Sequence, residues 1–177
     1  MRILLLILAI TGMLSCAPTL RYYTKDMHEM NGISSGDLHN IQFYLSNDIV
    51  LWRDLGKEEI SISRGKIKMT EGRKVEEIVI KKGTTGVCIF SPKEDQFAVS
   101  FDSKDDTKYL VFGSSAKMNN RYVLLAKNWD KRFGQVTYGD ETYNTSAESA
   151  YAYLMVDMKK AKNISKKRET IMGRKVQ

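Results

Sequence analysis

The chain is predicted to be all-β, a single antiparallel barrel or sandwich of about eleven or twelve short strands with a flexible basic C-terminal tail. Three observations predict it. Short apolar runs recur at spacings of roughly 8–12 residues and alternate with polar positions. The runs are rich in Val, Ile, Tyr and Phe, the residues that suit a pleated, half-buried surface. Turn-forming groups separate them: Asn47-Asp48, Arg64-Gly65, Lys82-Gly83, Pro92 to Asp95 and Gly139-Asp140.

The elements in order begin with an export segment, residues 1–15. Met1-Arg2 is a short positive start, and Ile3 to Ile10 is unbroken apolar sequence before small residues, the layout of a signal peptide. A spanning helix would need ~20 apolar residues, and here Pro18 and Arg21 intervene first. Met13-Leu14-Ser15-Cys16 resembles the bacterial lipobox, with Met13 where Leu is usual. That resemblance implies diacylation of the Cys16 sulfur, cleavage before Cys16 and acylation of the new amino group. A rival cut after Ala17 would place Pro18 next to the break, which the corresponding peptidases tolerate poorly. One acyl chain holds a protein only marginally, whereas three would hold it almost permanently. By analogy with enteric lipoproteins, Ala17 in place of an aspartate points to the outer membrane. The lack of an acidic cluster after Cys16 points to its periplasmic face.

Residues 16–36 read as a polar, lipidated tether carrying Gly32 and Gly36, and residues 37–158 as the β domain. Ser34 to Asp37 are placed to cap one helical turn over Leu38 to Ile41. Strands are then expected at Gln42 to Ser46, Ile49 to Arg53, a hairpin of Ile60/Ile62 with Ile67/Met69, and Val75 to Lys81. Further strands follow at Val87 to Phe90, Phe97 to Phe101, Tyr109 to Phe112, Tyr122 to Ala126, Gln135 to Tyr138, Thr142 to Asn144 and Tyr151 to Val156.

Charge separates the tail from the domain. The whole chain carries +7. Residues 159–177 hold eight basic residues against Glu169 alone, whereas residues 16–158 hold 19 basic and 20 acidic residues. The fold is therefore nearly neutral, and nucleic acid is not an expected partner, since that would call for clustered charge on the domain itself. The tail suits an anionic lipid or wall surface, or an acidic partner protein.

Few residues suggest chemistry. His28 lies in the tether and His39 at the start of the domain, and neither has a partner at metal-ligand spacing. No metal site or cofactor is expected, and no nucleophile–base motif is present. Gly83-Thr84-Thr85-Gly86 lacks the Lys-Ser/Thr ending of a phosphate loop and reads as a turn. Asp102, Asp105 and Asp106 lack calcium-loop spacing. The adjacent pairs Glu58-Glu59 and Glu76-Glu77 should point to opposite faces of a strand. With Cys16 acylated, Cys88 has no disulfide partner and reads as a small buried hydrophobe. Trp52, Trp129, Tyr138 and Tyr143, with Tyr151 and Tyr153, are the candidates for a ligand groove, although aromatics at alternating positions more often pair across strands.

Gln42 to Leu51, Gly83 to Val87 and Gly134 to Gly139 are similar to segments of uncharacterised small lipoproteins of the Bacteroidota. The resemblance spans most of the mature chain but transfers no activity and no site residues. The expected function is non-enzymatic: a lipid-anchored envelope protein that binds or scaffolds another envelope component (an envelope protein, a glycan, or an anionic wall or lipid surface), with a glycan- or small-ligand-binding module as the alternative and an envelope hydrolase as the remote one. A flat exposed strand edge or aromatic patch without a cavity would favour the first, an apolar barrel mouth the second, and a pocket with converging carboxylates the third.

Overall fold

Burial alternates along the strands as the sequence pattern demands. A computed structural model describes residues 18–34, 36–55, 66–70, 73–130 and 132–160. Strand β1 is Leu20–Tyr22, and a short helix α1, Lys25–Met30, follows it. β2 (Gln42–Leu45) buries Phe43 and Leu45; β3 (Ile49–Asp54) buries Ile49 and Leu51. β4 (Lys66–Thr70) and β5 (Arg73–Ile80) form a hairpin pair. Next come β6 (Thr85–Phe90), β7 (Gln96–Ser100), β8 (Tyr109–Ser115) and β9 (Arg121–Leu124). β10 (Phe133–Tyr138), β11 (Glu141–Ser146) and β12 (Leu154–Asp157) complete the set.

These twelve strands make two antiparallel sheets, ordered β1-β12-β2-β6-β7-β8-β9 and β10-β11-β3-β5-β4. The chain passes between sheets at β2–β3, β5–β6, β9–β10 and β11–β12. Asp48 joins the first two crossings: its carboxylate accepts from the Lys82 amide at 2.8 Å and pairs with Lys81 Nζ at 2.9 Å. Those partners hold the Asp48 carboxyl below its usual range. One core lies between the sheets, with Phe43, Leu45, Leu110 and Phe112 from the larger facing Ile49, Leu51, Val136 and Tyr143 from the smaller.

The architecture is a sandwich, not a closed barrel. The larger sheet nevertheless curls until its last strand returns to its first. Two isolated bridges, Thr24↔Arg121 and Val123↔Tyr153, tie β9 to the other end of the sheet. Tyr23 supplies the backbone link, its N–H donating to Leu154 O at 2.8 Å and its carbonyl accepting from Tyr122 N at 3.3 Å.

Three sequence expectations change. Residues 18–34 are not a free tether. Leu20–Tyr22 pairs with β12, Thr24 caps α1, and Tyr23 is wholly buried. A polar, glycine-containing segment reads as linker because its one anchoring aromatic, Tyr23, sits next to an exposed tyrosine, Tyr22. Second, Ala147–Tyr151 is a 3-10 turn, and β12 begins only at Leu154. Ala152 N closes that turn on Ser149 O, while Tyr153 O accepts from Ser46 N instead of extending a ladder. Third, the turn over Leu38–Asn40 is also 3-10, and Asp37 accepts from Ser34 N and Oγ instead of capping the helix. Ile60, Ile62, Glu58, Glu59 and Cys16 lie outside the described residues, as does the tail beyond Lys160.

Gly86 is a packing position. A Cβ there would stand 2.7 Å from the Phe101 ring and 2.8 Å from a Val99 methyl. Gly86→Ala is expected to lower stability by about 1–3 kcal/mol, the usual cost of overpacking. Chemical denaturation measures it, and a loss near zero would mean that Phe101 moves freely.

Candidate functional site

The site is built around α1. Thr24 has extended backbone angles and its side chain accepts from Met27 N at 3.1 Å, an N-cap that satisfies one free helical donor. At the other end Gly32, at φ 55°, takes the left-handed position after the helix. Gly32 N donates to Glu29 O and Ile33 N to His28 O, the paired bonds of a Schellman ending. A helix pinned at both ends fixes the direction of His28.

His28 leans on the aromatic core. Its Nδ1 lies 2.9 Å from the Tyr23 hydroxyl, and its ring centre is 5.4 Å from that of Phe97. Tyr23 in turn stacks on Tyr122 at 5.4 Å and meets Phe43 edge-on at 5.3 Å, while Phe97 stacks on Tyr122 at 4.4 Å. Burial pushes the Tyr23 hydroxyl far above its usual value and the His28 imidazole below 6.5. The Tyr23 hydroxyl and His28 Nδ1 share one hydrogen bond, its donor set by the imidazole tautomer.

Beside this stack opens a cleft of about 570 Å³ between α1 and the β6–β7 turn. Phe97 and Leu38 form its apolar wall, with Ser91, Lys93, Glu94 and Glu29 around the rim. Asp95, at φ 56°, turns its carboxylate onto Lys25 and so ties the turn to α1. The Tyr122 hydroxyl is buried and makes no hydrogen bond of ordinary geometry. Burial chiefly, then the charges of Asp95 and Glu29, keeps it protonated. The volume falls within the range of small-ligand sites, and the lining is mainly polar and charged.

Comparison with known protein families, with curated proteins and with solved structures finds no match. The functional reading therefore rests on the sequence and the geometry.

The four predicted groove aromatics do not converge. Tyr138 and Tyr143 are buried on the inner face of the smaller sheet, rings edge-on with centres 6.3 Å apart. Trp52 stands opposite Asn144 on the outer face of that sheet, away from Tyr143. Trp129 packs over Gly134, where a Cβ would meet its ring at 2.6 Å. Gly134 and Tyr138 are four residues apart on β10, about 13 Å at strand rise. Tyr153 instead sits with Tyr22 around Arg121, whose guanidinium lies 5.2 Å and 4.1 Å from the two rings, and Tyr151 is exposed. Tyr138 and Tyr143 are thus core aromatics, packed diagonally across β10 and β11.

The remaining candidates have structural partners. Glu76 accepts from Arg53 Nε at 2.7 Å and from the Tyr143 hydroxyl at 3.1 Å, whereas Glu77 stands opposite Trp52 on the other face. Asp102 and Asp105 flank Lys108 at 3.7 Å and 3.4 Å, and Asp105 also accepts from the Thr107 amide and hydroxyl. His39 is exposed and donates from Nδ1 to Cys88 O at 2.8 Å. Cys88 is buried, and that burial raises its thiol to about 11. Among the described residues no group of His, Cys, Asp or Glu is arranged to hold a metal ion. A second, more apolar groove of about 390 Å³ runs between β8 and β10 along Tyr109, Val111, Leu125 and Val136.

Sequence reasoning passed over His28 because it assigned the segment to a tether. The usable signals were Thr24 three residues before Met27 and Gly32 just past Met30, a start and a stop for a helix. The neutral imidazole has a pH consequence. Unfolded chain takes up its histidine proton as pH falls through about 6.5, while folded His28 resists until lower pH. Stability is therefore full above that value and declines below it. Tm is expected to drop between about pH 7.5 and about pH 5.5, and His28→Gln should flatten that drop. The depressed carboxylates Asp48, Asp105 and Asp130 act only at still lower pH. An equal drop in the variant would place the titration elsewhere.

Proposed function

We propose that the protein is a lipid-anchored component of the bacterial envelope that binds another envelope component without transforming it. The anchor reading rests on Met13-Leu14-Ser15-Cys16 and the apolar run before it. It implies a periplasm-facing site on the outer membrane. The binding reading rests on one observation, the cleft between α1 and the β6–β7 turn with its Phe97 wall and polar rim. Two facts favour binding over hydrolysis. The Asp95 carboxylate is engaged by Lys25, and Nδ1 of His28 is engaged by Tyr23, so one acid and the one imidazole of the cleft are tied into the fold. A compact ligand with several polar groups fits this mainly polar lining best. A sugar ring is the simplest such shape.

Both halves are testable in the cells that make the protein. Cys16→Ala should move the protein out of the membrane fraction and abolish lipid labelling; retention in the membrane would put the anchor elsewhere. A photo-crosslinking amino acid at Ser91, on the cleft rim, should give a discrete adduct. The same probe at Val79, exposed on the smaller sheet, should give none. Equal adducts at both positions, or none at Ser91, would reject the cleft.

A further inference from the structure

The start of the described chain and the root of the basic tail are one place in the fold. Leu20 is the register partner of Asp157, and Met158 N donates to Thr19 O at 3.3 Å. Arg21, Lys159 and Lys160 are exposed around that junction. The chain thus enters the sandwich and leaves it side by side, on paired strands.

The spacing to Cys16 turns this into a statement about the membrane. Three residue steps along the chain separate Cys16 from Thr19, a reach of at most about 11 Å. That is close to the Debye length of ~10 Å at 0.1 M salt, over which surface charge is felt. Had residues 16–36 been a free tether, the domain would stand far from the bilayer. Because the fold takes up the segment from Leu20 onward, an acylated Cys16 leaves the root of the tail no room to stand away.

We propose that the basic C-terminal segment, residues 159–177, is a second membrane-binding element that engages anionic lipid headgroups beside the acyl anchor, with the β1–β12 junction facing the bilayer. The proposal rests on the Cys16 anchor for its geometry and on charge for its chemistry. Eight basic residues against one acidic are concentrated at this end, while the rest of the mature chain is close to neutral. A basic stretch next to an acyl anchor is the known physical route to firm, charge-selective membrane attachment. A periplasmic polyanion or acidic protein would be a different partner, reached without regard to where the tail leaves the fold.

The test uses unacylated chain 17–177, so its outcome does not depend on whether Cys16 carries lipid. In flotation with phosphatidylcholine vesicles, with and without a one-third share of phosphatidylglycerol, binding to the anionic vesicles should be about tenfold stronger or more. Raising salt to about 1 M, where the Debye length is ~3 Å, should abolish the difference. Chain 17–160, which keeps every described element of the fold, should lose most of the binding with an unchanged circular dichroism spectrum. Equal binding to neutral and anionic vesicles, no binding to either, or full binding by chain 17–160 would overturn the proposal. Loss of the Cys16 anchor in cells with retained vesicle selectivity would sink the anchor reading instead and leave the tail's lipid binding standing.

Discussion

Tyr23 holds the structure together at its least obvious point. Its ring is wholly buried among Tyr122, Phe43 and Phe97, and its backbone bonds to Leu154 on one side and Tyr122 on the other. Those two backbone bonds bring the last strand of the larger sheet back to the first, which curls the sheet and protects both of its edges. Aromatic rings contribute large buried area together with specific edge and face contacts. A single tyrosine therefore fixes sheet curvature, places α1 and orients His28.

The two functional features both descend from that constraint. With Tyr23 seated, α1 lies across the β6–β7 turn, Lys25 reaches Asp95, and a cleft is left between them. With β1 paired to β12, the chain enters and exits at one junction, and the distance from Cys16 to the fold shrinks from a long tether to a few residues. Binding site and membrane geometry are consequences of how the first dozen described residues pack.

Much of the strand content was legible because period-two burial is local information. Phe43/Leu45, Ile49/Leu51 and Val136/Tyr138 announce their strands without reference to anything distant. How the strands divide into two sheets was not legible, because it depends on crossings such as the one stapled by Asp48, Lys81 and Lys82. The ligand-groove aromatics failed for the same reason. Facing of Trp52 and Tyr143 is decided by register with neighbouring strands, which puts them on opposite sides of one sheet. The cleft escaped because its parts come from residues 28–38 and 91–97, joined only by tertiary packing, and because a short helix between polar residues gives no hydrophobic period to detect.

The central claim is that residues 18–31 belong to the folded core through Tyr23. Hydrogen exchange of chain 17–177, read by mass spectrometry over that segment, tests it most directly. The Tyr23 amide, bonded to Leu154 O, should be protected to the same degree as the amides of β2 and should exchange with them on global unfolding. Exchange at the rate of an unstructured peptide would contradict the account, and with it both the cleft beside α1 and the short distance from anchor to fold.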